Sequence, residues 1–145
     1  MDFNQCVGKD HKACRFIQDE DLLTNTDHRG QMSQFCGHSE ICRKFNNPQA
    51  LQLAKENVQK FYPVVGVMEL MNETLAVLEK KLPHFFANAS QRYDINFQHH
   101  NNRNKMKKPT AKEILEKIKP KFSHEYEFYQ FCKQRLLQQY QDIRQ

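Results

Sequence analysis

The stretch FCGHSEIC, running from Phe35 to Cys42, places two cysteines six positions apart with His38 between them, and a second pair, Cys6 and Cys14, encloses His11 upstream. Three chemistries use these residue types. A zinc site drawn from Cys6, His11, Cys14, Cys36, His38 and Cys42 would have borderline-soft ligands, but structural zinc knuckles set two ligands two to four residues apart so that one tight turn aims both at the ion. Here seven and five residues intervene within the pairs, and that spacing argues against a metal. A catalytic thiolate needs a helix N-terminus or a nearby cation to lower its pKa, and nothing local marks Cys36 for that role. Disulfides are the third reading. Four cysteines allow three pairings between which sequence does not choose. The local pairings, Cys6 with Cys14 and Cys36 with Cys42, close the shortest loops, and each would contribute about 2 to 3 kcal/mol in the chain-entropy picture. Cys132 is left over as a small hydrophobe on the apolar face of a predicted helix.

Cationic side chains are the second chemical feature. Between Arg92 and Lys121 there are nine basic residues against three acidic ones, a local charge of +6 in a chain of net charge +5. The positive field is therefore one patch, suited to phosphates, sulfated or carboxylated sugars, nucleic acid or acidic lipid. The bland alternative is a solvated lysine-rich surface. Only Tyr93 and Phe97 are aromatic near the patch, whereas stacking platforms for nucleic acid interleave several aromatics with the cations.

The elements that must position these groups follow from 145 residues with 39% apolar content and a mean hydropathy of −0.87, enough for one domain or part of one with a modest core. Residues 1–46 show little periodicity and read as a loop region that needs staples. Residues 47–86 read as helix, strand and helix. Asn47 and Pro48 supply a cap and a first helical residue, and Ala50, Leu51, Ala54 and Val58 repeat at helical spacing. Val64 to Val67 are apolar on both faces, as in an inner strand of a parallel sheet, and Gly66 marks close approach of another backbone. Helical spacing returns from Glu69 and stops at Pro83. Residues 87–109 read as a basic loop. Residues 110–145 read as two helices, the first opened by a capping box of Thr110 and Glu113 and the second following Ser123 with Phe128, Cys132, Leu136, Tyr140 and Ile143 inward.

The opening MDFNQCVGKDHK has no apolar stretch and reads as neither signal peptide nor membrane span, which taken literally is cytosolic. Two glycosylation sequons, at Asn72 and Asn88, and the close cysteine pairs point instead to an oxidising secretory lumen. A sequence lacking its true N-terminus reconciles the two.

Taken in order, FCGHSEIC, the L-A-K-x-N helix (Leu53 to Asn57), VVGV with Glu69, the helix ending L-P-x-F-F (Leu82 to Phe86) and E-F-Y-x-F (Glu127 to Phe131) resemble the C-terminal half of the uronosyl 2-O-sulfotransferases, Golgi enzymes that sulfate heparan or dermatan/chondroitin sulfate. The likeness spans almost the whole chain. It implies an α/β fold, here a partial P-loop-like sulfotransferase fold that is mostly helical with a short inner parallel strand near 64–67. It implies that both cysteine pairs are disulfides. The sulfuryl donor would be PAPS (3′-phosphoadenylyl sulfate), with no metal. Tyr93, His99, Asn104 and Lys107 are the expected nucleotide contacts, and Arg103 and Lys105 are expected near the anionic sugar chain. The partner would be a glycosaminoglycan rather than nucleic acid. A homo-oligomer is compatible, since family members can be trimers. The location would be the Golgi lumen, from a type II membrane protein whose anchor is absent from this sequence. The family's K-T-G-S/T phosphosulfate loop and catalytic histidine lie upstream of the matched region, so His38, His84 and His99 are assigned no catalytic role and the fragment is expected to be inactive. Two alternatives stand beside this reading: a polyanion-binding module without catalysis, and a small secreted disulfide domain that only binds glycosaminoglycan.

Overall fold

The computed structural model describes residues 2–22, 30–97 and 108–145. Among these the chain is helical: α1 (Phe3–Gly8), α2 (Met32–Cys36), α3 (Pro48–Phe61), α4 (Met71–Lys81), α5 (Pro83–Phe86), α6 (Ala89–Phe97), α7 (Lys112–Ile118) and α8 (Ser123–Asp142), joined in places by single 3-10 turns. Two compact units are present: Met1–Asn57 with Met106–Phe128, and Val58–Lys105 with Tyr129–Gln145. Helices α3 and α8 contribute residues to both.

In the first unit the expected loop region is in part helical. Asp2 and Gln5 form a reciprocal capping box at the start of α1. The Gln5 N–H, with lesser help from Lys108, holds the Asp2 carboxyl below the usual carboxylate range. Helices α1 and α7 satisfy each other's ends: Asn4 Oδ1 accepts from the Ala111 N–H at 2.9 Å, and Lys117 Nζ donates to the Val7 carbonyl at 3.1 Å. Thr110 is therefore not the cap of α7 as expected. The cap is Ala111, which has no side-chain acceptor of its own, and a residue 107 positions away supplies one. Behind these helices Phe16, Phe45 and Phe122 pack ring against ring at centroid distances of 4.8 to 6.3 Å, with Val7, Ile114 and Ile118 around them.

The adjacent asparagines Asn46 and Asn47 organise the rest of this unit. Asn47 Oδ1 accepts from the Gln49 and Ala50 N–H groups and so caps α3, with Pro48 at the first helical position as expected. Asn46 is 2% exposed and holds a positive φ of 50°. Its Oδ1 accepts from the His124 and Glu125 N–H groups at 2.8 and 3.1 Å, which caps α8 from a distant part of the chain.

The second unit holds the segment expected as a strand. Val67 is extended, with φ −126° and ψ 122°. The β pairing among the described residues is an isolated antiparallel bridge between Asp21 and Lys44, in the first unit. The expected inner strand at 64–67 thus has no ladder within the described residues, and the α/β expectation is not met there. A ladder needs neighbouring strands, and the flanking elements α3 and α4 are helices. The segment is held by side chains instead. Arg135 and Gln139 of α8 donate to the Tyr62 and Pro63 carbonyls at 2.7 and 2.8 Å. Thr74 Oγ1 accepts from the Val67 N–H and donates to the Val67 carbonyl. Gly66 is required by this closure, because a Cβ there would lie 2.5 Å from Thr74 Cγ2. Val67, Val77 and Leu136 form the buried core of the unit, with Tyr140 and Ile143 partly buried against it. The expected basic loop is also corrected in part, since 89–97 form α6. Helix α6 packs on α4, and its Ser90 N–H donates to Glu79 Oε1 at 2.8 Å.

Replacing Asn46 with alanine removes two cap bonds and puts into the left-handed region a residue that tolerates it less well than asparagine; the expected loss is about 2 to 4 kcal/mol in urea unfolding. Asn46→Gly keeps the backbone conformation and should lose only about 1 to 2 kcal/mol. Equal losses in the two variants would show that the backbone conformation contributes nothing.

Candidate functional site

The cysteine chemistry is decided by geometry. Cys6–Cys14 and Cys36–Cys42 are disulfides, with Cα separations of 5.7 and 5.4 Å. No group of three or more His, Cys, Asp or Glu side chains among the described residues is placed to hold a metal ion. Cys132 is buried, and desolvation pushes its thiol up to about 11.

Of the expected nucleotide contacts, Tyr93 lies on α6 with an intermediate exposure. His99, Asn104 and Lys107, and the expected sugar contacts Arg103 and Lys105, lie outside the described residues. Tyr93 is positioned by a continuous series of bonds. Val67 is tied to Thr74 on α4, Glu79 on α4 is tied to Ser90, and Ser90 opens the helix that carries Tyr93. The extended segment and the phenol therefore share one scaffold.

The residues singled out by their order in the sequence turn out to be bonded to one another. Asn57 Nδ2 donates to the carbonyls of Phe35 and Cys36, which fixes the FCGH loop on α3. Lys55 pairs with Glu127 at 2.6 Å. Phe35 packs on Phe128 with ring centroids 5.2 Å apart. In the second unit the Tyr129 hydroxyl donates to Glu69. Motif by motif, FCGH meets L-A-K-x-N, both meet E-F-Y-x-F, and E-F-Y-x-F meets the acid that follows VVGV. These contacts build a frame. They do not form a nucleophile with its base, and two histidines are engaged as structural partners: His11 accepts from the Ala13 N–H and His124 bonds the Asn46 carbonyl.

Sequence reasoning missed the polar residues that hold this frame. Glu125 lies in the first turn of α8. It accepts from the Gln31 and Met32 N–H groups at 2.9 and 3.1 Å, at the start of the α2 helix that ends in Cys36. Burial raises its pKa, and the two backbone bonds that oppose this are the smaller effects. Arg135, Gln139 and Thr74 gave no signal in periodicity, because their partners are main-chain carbonyls far away or in the preceding turn.

Residues 2–132 match the Sulfotransferase family, and the chain belongs to that family. It is 37% identical over 143 residues to the uronyl 2-sulfotransferase homolog pip of Drosophila melanogaster, covering 97% of this chain and 28% of that protein. It is 34% identical over 144 residues to heparan sulfate 2-O-sulfotransferase 1 of Homo sapiens, covering 98% of this chain and 37% of that protein. The chain thus spans roughly a third of the length of these curated relatives.

Two outcomes follow from the site. Under non-reducing conditions in denaturant one thiol should react, and in the folded protein that thiol should react slowly because it is buried and protonated; five reactive thiols would contradict the pairing. For Glu125 the folded pKa lies above the ordinary value of 4.5, so the folded state binds the proton more tightly. Its contribution is present below pH 4.5 and lost as pH rises through the folded pKa. Glu125→Gln should flatten that part of the stability profile in pH-dependent urea unfolding.

Proposed function

We propose that this chain is the C-terminal part of a glycosaminoglycan uronyl 2-O-sulfotransferase domain, in which PAPS donates a sulfuryl group to the 2-hydroxyl of a uronic acid in heparan or dermatan/chondroitin sulfate. The reading is carried by one observation: FCGH is bonded to L-A-K-x-N, L-A-K-x-N to E-F-Y-x-F and E-F-Y-x-F to Glu69, within a chain that is about a third identical to proteins named for that activity. Transfer needs a base to take the hydroxyl proton and cations to stabilise charge on the phosphate leaving group. This chain's share is the cationic side, with His99, Asn104 and Lys107 together with Tyr93 at the nucleotide and Arg103 and Lys105 at the sugar chain. The base and the phosphosulfate loop come from outside it, so the chain alone is inactive. The two disulfides and the two sequons support a Golgi lumenal location. No helix among the described residues is long and apolar enough to cross a membrane, and an anchor would lie elsewhere in the protein.

The α/β architecture belongs to the same proposal. Val64, Val65 and Gly66 make no main-chain hydrogen bond among the described residues, while Arg135, Gln139 and Thr74 pin the segment at both ends. A strand held ready by side chains, with an open edge, fits a parallel sheet whose other strands lie in the rest of the domain.

The test is complementation. Joined to the N-terminal portion of the Drosophila relative, the chain should transfer labelled sulfate from PAPS to the 2-position of 2-O-desulfated heparin, and alone it should not. Binding of the desulfated donor nucleotide, followed by calorimetry, should accompany activity and weaken in Tyr93→Ala. A folded chimera that binds heparin but neither binds the nucleotide nor transfers sulfate would favour the polyanion-binding module instead.

A further inference from the structure

The two sequons are not equivalent in the fold. In Asn72-Glu73-Thr74 the threonine is 6% exposed, and its hydroxyl is used twice, by the Val67 N–H and the Val67 carbonyl. Asn72 lies in the first turn of α4. In Asn88-Ala89-Ser90 the asparagine is exposed with a φ of 58° in the turn between α5 and α6. Ser90 is partly exposed, and it is its N–H, not its hydroxyl, that bonds Glu79. Glycosyl transfer needs the asparagine amide and the hydroxyl two residues on to be presented together on an accessible segment. Three residues before Asn88, the Phe85 ring is 84% exposed.

We infer that Asn88 carries an N-linked glycan, that Asn72 stays bare, and that the glycan shields the Phe85 corner; this rests on the lumenal location proposed above. Asn88 Nδ2 would bond the anomeric carbon of an oligosaccharide from a polyprenyl diphosphate donor. The anomeric C–O bond to the diphosphate breaks, the diphosphate leaves with the bonding electrons, and the amide proton passes to a base of the transferring enzyme. The selectivity does not require the whole protein to fold first. Val67 and Thr74 are seven residues apart, and closing such a loop takes well under a millisecond while synthesis adds about 5 to 20 residues per second. The local closure that occupies the Thr74 hydroxyl can therefore form before synthesis is complete, whereas the Glu79 bond to Ser90 uses the N–H and not the hydroxyl. A sugar chain at Asn88 is bulky and hydrophilic, and it is attached three residues from the exposed Phe85 ring.

The experiment expresses the full chain behind a cleavable signal sequence in a eukaryotic secretory host, which forces lumenal entry. Intact mass before and after peptide N-glycosidase treatment should show one glycan. Ser90→Ala should remove it while leaving Asn88 and its backbone in place, Asn88→Gln should also remove it, and Asn72→Gln should retain it. Deglycosylating the folded protein should raise binding of an apolar dye, and Phe85→Ser should cancel the rise. A secreted protein with no glycan, with glycans at both sites, or with a glycan lost only in Asn72→Gln overturns the assignment. A glycan at Asn88 with no dye response to deglycosylation overturns the shielding. Because entry is forced and no donor nucleotide is involved, each of these results stands apart from success or failure of the sulfotransferase reading.

Discussion

Two neighbouring asparagines hold the first unit together. Helix α8 begins at Ser123 with N–H groups that no preceding turn can satisfy, and Asn46 reaches them from 77 to 79 residues away. Its amide nitrogen meets the Ser123 hydroxyl and its main-chain carbonyl meets His124 Nδ1, so both ends of the side-chain amide and the carbonyl of this 98% buried residue have partners. An amide left unpaired at such a site would cost about 1 to 3 kcal/mol. The next residue, Asn47, caps α3 and is itself held by Asp19 at 2.6 Å. Two helix starts are thus fixed to one bend. Asp19 N–H also donates to the Phe45 carbonyl, and Phe45 donates to Glu20, so the bend is locked to the segment before it. Ring packing of Phe45 on Phe122 then places an apolar contact directly behind the polar one.

The same economy governs the rest of the chain. With no sheet among the described residues, side chains satisfy many main-chain groups at helix ends and in connecting segments: Asn57 on the Phe35 and Cys36 carbonyls, Glu125 on the Gln31 and Met32 N–H groups, Arg135 and Gln139 on the Tyr62 and Pro63 carbonyls. Such bonds give little net stability each, about 0.5 to 1.5 kcal/mol, but leaving the partner unmet costs more. The disulfides act on the same segments from the other side, reducing the freedom of the unfolded chain around α1 and around FCGHSEIC. The short α2 helix shows the combination, capped by Glu125, ended at a bridged cysteine and tied down by Asn57.

Local signals explain what was legible beforehand. Asn47 with Pro48 and the stop at Pro83 are local devices that need no distant partner, and the helices they bound appear at those positions. The cysteine pairs were legible from spacing together with resemblance. Helix α6 was not, because it leads into an Asn-, His- and Lys-rich stretch and depends on packing against α4 and on the Glu79 bond. The Thr110 box failed for the opposite reason: a good local motif lost to Asn4, which only the tertiary fold brings to Ala111. At VVGV the structure shows an extended Val67 and a tight Gly66, while the strand pairing that the pattern implied is absent among the described residues. Of the candidate site, Tyr93 is the expected nucleotide contact that the described residues include, and its support through Thr74 and Glu79 leaves no trace in periodicity.

That extended segment places a condition on whatever covers it. Val64 is partly buried against the core formed by Val67, Val77 and Leu136, Val65 is partly buried, and Gly66 is exposed. Water can serve the open N–H and carbonyl groups as long as the edge stays wet. A purely apolar cover would strip that water and leave up to six main-chain groups unpaired, at about 1 to 3 kcal/mol each, more than the apolar area of three small residues could return at about 25 cal/mol per Å2. A cover that brings its own main-chain donors and acceptors avoids the loss altogether. Gly66 makes close approach easy on the outer side, and on the inner side the Thr74 methyl fills the space that a Cβ would need. Arg135, Gln139 and Thr74 hold the backbone on either side of these three residues, which leaves their main-chain groups to water among the described residues.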